Sequence, residues 1–91
     1  MRISQEKQDK IKEMILSILY DNSPRTLFTA EISRMIARDE EFTKKLLEEL
    51  QKKGLVVAIK KSSRGEYKKR IKWRLSNKTY IAYKQLQEQK S

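Results

Sequence analysis

Eight cationic side chains fall within fifteen residues: Lys60, Lys61, Arg64, Lys68, Lys69, Arg70, Lys72 and Arg74, opposed only by Glu66. Protonated lysines and arginines offer neither a nucleophile nor a base. What such a cluster can do is displace condensed counterions from a polyphosphate. If about six contacts form, affinity falls with a log–log salt slope near −5. The competing reading is that these residues solubilise an exposed hairpin and block edge-to-edge strand pairing. The wider charge distribution favours the first reading. Residues 1–54 hold 11 Lys/Arg and 10 Asp/Glu, a net of +1, whereas residues 55–91 hold 11 Lys/Arg and 2 Glu, a net of +9. A field so polarised attracts polyanions, nucleic acid first and an anionic membrane surface second.

The chemistry that is missing narrows the classes further. The 91 residues contain no cysteine and no histidine, so no thiolate site, disulfide or imidazole base can be built. Gly54 and Gly65 are the only glycines, which leaves no glycine-rich phosphate loop. Most acids lie four residues from a lysine on predicted helices, and no catalytic set emerges. The expectation is a non-enzymatic protein with no cofactor and no metal. Its longest apolar run, Leu55 to Ile59, is far too short to span a bilayer, and Met1 to Lys7 lack a signal-peptide core. A soluble cytoplasmic protein that avoids membranes is expected. The Lys/Glu/Ile-rich composition suggests a thermophilic archaeal or viral origin.

The elements that must position the cations follow from periodicity. Ile11, Met14, Ile15, Ile18 and Leu19 recur at helical spacing, with Ser4 as N-cap, predicting a helix over 4–20. Residues 21–24 end it, and 25–28 suit a stub of strand. Thr29 is expected to cap a second helix over 30–37 whose inward residues are Ala30, Ile32, Ile36 and Met35. After the polar break at 38–40, a third helix over 41–53 carries Phe42, Leu46 and Leu50 on one face. Gly54 closes it as a left-handed cap. The period then changes to two. Ile71, Trp73 and Leu75 share one face of a strand and Arg70, Lys72 and Arg74 the other, predicting a hairpin with a basic outer face. Ser76 caps a last helix over 77–89, with Tyr80, Ile81, Tyr83 and Leu86 apolar. The result is one α+β, mostly helical domain over 1–91.

Two stretches carry a resemblance: Thr29-Ala30-Glu31-Ile32 at the start of the second helix, and Leu47-Glu48-Glu49-Leu50-Gln51-Lys52-Lys53-Gly54-Leu55-Val56 at the end of the third. With Trp73-Arg74-Leu75-Ser76 leaving the hairpin, the chain resembles winged helix-turn-helix regulators, in particular the multiple-antibiotic-resistance type. The resemblance covers about residues 8–86. It implies a helix-turn-helix over about 29–53, a wing over about 55–75 and double-stranded DNA as partner. It further implies that the third helix enters the major groove through Thr43, Lys44, Lys45, Glu48, Gln51 and Lys52. The wing would supply Lys60, Lys61, Arg64, Tyr67, Lys68, Lys69, Arg70, Lys72 and Arg74 to phosphates, with Arg64 beside Gly65 suited to the minor groove. Tyr67 either donates to a phosphate or packs across the hairpin. Trp73, alternating with Ile71 and Leu75, reads as core. Arg25 and Arg34 are weaker backbone candidates.

One departure matters. Glu40–Lys44, Glu41–Lys45, Glu48–Lys52 and Glu49–Lys53 are each spaced four apart, and each pair could add about 0.2–0.5 kcal/mol to the helix. A self-neutralised, solvated face is therefore an equal reading for that helix. It keeps two alternatives open, a protein–protein module in transcription or replication machinery and RNA binding. The resemblance also implies a homodimer through the first and last helices, motivated here by Ile3, Leu16, Ile81, Tyr83 and Leu86. No small-molecule effector site is legible.

Overall fold

The computed structural model describes residues 3–61 and 70–90, so Arg64, Tyr67, Lys68 and Lys69 lie outside the described residues. Helix α1 (Gln5–Asn22) starts where Ser4 Oγ accepts the Lys7 N–H at 3.3 Å. Its inner stripe is Ile11, Ile15, Leu16 and Leu19, with Lys12 buried among them. Met14, expected inside, is exposed, and Ile18 is half-buried. Leu16 is buried in the core and is therefore not a spare dimerisation residue.

A two-residue strand, β1 (Leu27–Phe28), leads directly into helix α2 (Thr29–Met35). Phe28, not Thr29, occupies the N-cap, and the Glu31 carboxylate accepts the Phe28 N–H at 3.0 Å. The Thr29 hydroxyl is used elsewhere. It accepts the Trp73 Nε1–H at 2.8 Å inside the core. Thr29, Ile32, Ser33 and Ile36 face inward, while Met35 is exposed.

The turn after α2 is a left-handed helix closure without glycine. Arg38 N–H donates to Ser33 O at 3.0 Å and Ala37 N–H to Arg34 O at 3.2 Å, with Ala37 at φ 56°. That backbone region costs a residue bearing Cβ about 1–2 kcal/mol, and glycine relieves it while adding about 0.4–1 kcal/mol of unfolded-chain freedom to be lost. Ala37→Gly should therefore stabilise the protein by ~1 kcal/mol, raising the melting midpoint by roughly 4–8 °C. A lowered midpoint in a thermal melt would contradict this account of the turn.

Helix α3 (Glu40–Lys52) is capped by Asp39, whose carboxylate accepts the Phe42 N–H at 3.2 Å. It closes as expected on Gly54 at φ 75°, with Leu55 N–H donating to Leu50 O at 3.0 Å and Gly54 N–H to Gln51 O at 2.9 Å. Strands β2 (Val56–Lys61) and β3 (Arg70–Leu75) pair antiparallel, and β1 adds to the other edge of β3, giving the order β1-β3-β2. Trp73 stands opposite both Leu27 and Ala58. Its indole is 1% exposed, the core position its alternation predicted.

Helix α4 (Asn77–Lys90) follows Ser76, whose hydroxyl lies 2.8 Å from that of Thr79. The first half of α4 packs on the body. Thr79 is buried and Tyr83 half-buried, and the rings of Tyr80 and Tyr83 lie 5.4 and 5.7 Å from that of Tyr20. Ile81 and Leu86 are both 53% exposed. The core is thus built from α1, α2, α3 and the sheet. No described helix is long and apolar enough to cross a membrane.

Candidate nucleic-acid interface

The outward surface of α3 is set by what its inner face buries. Thr43, Leu46, Leu47 and Leu50 point inward, which turns Lys44, Lys45, Glu48, Gln51 and Lys52 to solvent together with Glu40 and Glu41. Thr43 does not belong to that surface. It is 0% exposed, and its hydroxyl donates to the Asp39 carbonyl at 2.8 Å. A threonine that satisfies its own hydroxyl on the preceding turn is buried at little cost, so the inner stripe centres on Thr43 and Phe42 is only half-buried.

None of the four i,i+4 pairs of α3 closes to ion-pair distance; among the described residues the ion pairs are Lys12–Glu49 and Arg25–Glu31. Lys44, Lys45 and Lys52 are exposed to solvent and make no closed ion pair among the described residues. Arg25 is instead engaged by Glu31 at 3.0 Å.

In the hairpin, residues opposite one another share a face. Lys72 stands opposite Ile59 and Phe28, and Arg74 opposite Val57, so these cations lie on the outer face beside half-buried apolar neighbours. Arg70 shares their parity and stands opposite Lys61. Lys60 breaks the expectation of a uniform basic face. It pairs with Ile71 and has the parity of Val56 and Ala58, on the other side of the sheet. The Phe28 ring carries two cations: Lys72 Nζ is 4.7 Å and Arg70 Cζ 5.8 Å from its centroid. Helices and hairpin meet in a cleft of about 470 Å³, lined by Phe28, Glu31, Arg34, Glu40, Lys44 and Arg70 among others. Arg34, Lys44 and Arg70 thus come from three different elements to one place.

The sequence matches no protein-family profile and no curated protein. Solved structures do match. The zinc-responsive MarR family member ZitR of Lactococcus lactis aligns at TM-score 0.65 and 19% identity, over 92% of this chain and 51% of that one. The S. aureus MepR–DNA complex aligns at 0.66 and 18%, over 92% and 69%. Wild-type ZitR in complex with DNA aligns at 0.62 and 20%, over 92% and 50%. The chain has the winged helix-turn-helix fold. It spans about half the length of the ZitR chains it resembles.

In this winged helix, α2 and α3 are the helix-turn-helix pair and β2–β3 the strands of the wing. One interaction orients α3 that residue spacing on α3 alone misassigns. Glu49 does not turn to Lys53; Lys12 Nζ of α1 reaches it at 2.8 Å, with side-chain exposures of 8% for Lys12 and 34% for Glu49. A signal existed, since Lys12 sits at i−3, i−4 and i−7 to Ile15, Leu16 and Leu19, inside the apolar stripe. The Lys12 hydrogen bond and charge, helped by Lys45 and Lys53, hold the Glu49 carboxyl below its ordinary range against partial burial. A carboxylate with a depressed folded-state pKa contributes stability above its unfolded pKa and loses it as pH falls through the folded value. Glu49→Gln should accordingly cost about 1–2 kcal/mol at neutral pH, since a charged hydrogen bond is lost beside a buried lysine. That difference should shrink towards zero in acid, below the ordinary carboxylate range. Urea titrations of both proteins at neutral and acidic pH check this, and a pH-independent difference would remove the ion pair as its cause.

Proposed function

We propose that this winged helix binds double-stranded DNA and acts as a non-catalytic transcription regulator. The observation that carries the reading is the convergence of Arg34, Lys44 and Arg70 on one cleft between helix-turn-helix and wing. A phosphate backbone running through that cleft meets cations from both sides. Lys72 and Arg74 continue the track along the wing, and α3 presents Lys44, Lys45, Glu48, Gln51 and Lys52 towards the major groove. The remaining wing cations, Lys61, Arg64, Lys68 and Lys69, with Tyr67, complete the surface on phosphates or in the minor groove, whereas Lys60 stands on the other side of the sheet. ZitR and MepR, which share the fold, have each been solved in complex with DNA. Titrating a mixed-sequence duplex at two salt concentrations tests the reading. Binding should weaken steeply with salt, with a slope set by about 0.9 per phosphate contact. No binding at low salt would instead favour a protein–protein module. That second reading draws on Glu41 and Glu48, exposed on the outer face of α3, where they would repel phosphates. Duplex RNA as competitor separates the two nucleic acids.

The regulator acts as a homodimer through α1 and α4 in this reading. Leu86 follows Thr79 and Tyr83 at helical spacing, so the inner stripe of α4 continues past the body that covers its first half. Sedimentation showing a monomer at high micromolar concentration would overturn the dimer.

A further inference from the structure

Phe28 stands where three parts of the molecule meet. It ends β1, faces Lys72 across the strand register and lines the cleft that Arg34, Lys44 and Arg70 share. The Lys72 ammonium at 4.7 Å and the Arg70 guanidinium at 5.8 Å both lie within the ~6 Å over which a ring face attracts a cation. This attraction differs from an ion pair in one respect that bears on function. A carboxylate at position 28 would also hold the two side chains, but it would cancel one of their two charges. An aromatic face holds them through its quadrupole and leaves both net positive, with N–H groups still available to an anion. The ion pairs among the described residues are Lys12–Glu49 and Arg25–Glu31; Glu31 lines the same cleft as Arg70, but its ion-pair partner is Arg25.

We propose that Phe28 is a positioning residue for polyphosphate binding: its ring presets Arg70, at the edge of the cleft, and Lys72, beside it on the outer face of β3. The proposal rests on the DNA reading above. A long cationic side chain ordinarily loses most of its rotamers when it grips a phosphate, and that loss weakens binding. Two side chains already docked on a ring lose less. Residue 28 thereby affects affinity without touching the nucleic acid.

The test replaces Phe28 with phenylalanines carrying one, two and three ring fluorines, which keep the shape of the ring while progressively removing its negative face. The probe is a mixed-sequence DNA duplex at moderate salt. Affinity should fall stepwise, reaching about a three- to tenfold loss with the trifluorinated ring. In an R70Q/K72Q background the series should be flat. A role in packing alone predicts a flat series in both backgrounds, and that result overturns the proposal. Phe28→Leu should match the trifluorinated protein and Phe28→Trp should bind at least as tightly as wild type; a Trp variant as weak as Leu also overturns it. Without the ligand, the Lys72 ε-methylene protons should show an upfield ring-current shift in the free protein, and its absence is equally fatal. A wild-type chain that binds no duplex overturns the DNA reading and this proposal together. Wild-type binding with an unmoved fluorinated series overturns this proposal alone.

Discussion

Changing Arg70, Lys72 and Arg74 together to glutamine should lower affinity for duplex DNA about 10²–10³-fold at about 0.1 M salt, because each phosphate left without its cation forfeits about 0.9 log units of counterion release. The log–log salt slope should become shallower by about 2.7 in the same experiment. The three residues stand at alternate positions of one strand and share its outer face with Phe28, so a single backbone strand can meet all of them. Lys60 provides the internal control. It stands on the other side of the sheet, and Lys60→Gln should leave the slope unchanged, where the loss of one phosphate contact would make it shallower by about 0.9. Fluorescence-anisotropy titrations across a salt series measure both quantities. An unchanged slope in the triple variant would mean that the wing does not lie on phosphates. Circular dichroism should show the triple variant folded, since none of the three side chains is buried.

The largest effect on stability should come from Trp73→Ala, at about 3–5 kcal/mol. A protein of this size has a total stability of about 5–15 kcal/mol, so the variant should be close to unfolding at physiological temperature. Three contributions converge on this indole. It is 1% exposed, it stands between Leu27 and Ala58 in the middle strand, and its N–H is held by Thr29 at 2.8 Å. Thr29→Val separates the hydrogen bond from the packing. Its shape is conserved but the indole N–H is left unpaired in the core, which should cost about 1–3 kcal/mol. Far-ultraviolet circular dichroism during urea unfolding reads both variants. A loss below about 1.5 kcal/mol for Trp73→Ala would contradict the position of the ring at the centre of the core.

The parts of this architecture legible in the sequence are those fixed by local physics. Ser4, Gly54 and the alternation through Ile71, Trp73 and Leu75 each act within a few residues, and the elements they bound fall where their patterns place them. The misreadings concern residues whose partners are distant or whose chemistry is double. Thr43 is assigned outward by its polar type, yet it sits three, four and seven residues before Leu46, Leu47 and Leu50, bonds its hydroxyl to the preceding turn and faces the core. Lys12 is charged, but Glu49 on another helix meets it, so it occupies the apolar stripe of α1. A spacing rule sees only its own helix, which is why it assigns Glu49 to Lys53, four residues away. Lys60 follows from pairing register, which no single strand specifies. Phe28 reads along the chain only as part of a strand stub; its approach to Lys72 and Arg70 arises when β1 joins a strand more than forty residues later. In the candidate interface, then, residue types are readable along the chain, whereas their grouping needs the fold.

The bond from Trp73 to Thr29 has a mechanical consequence. It rivets β3 to the first turn of α2, and the sheet register backs that rivet with a second fastening at Leu27. The protein then resembles a caliper with welded jaws more than a hand that closes. If the chain binds DNA as proposed, a duplex seated between those jaws takes up misfit by bending or twisting itself, and sequences that yield cheaply at the right step are held longest. Selectivity could in this way reach base pairs that no side chain touches.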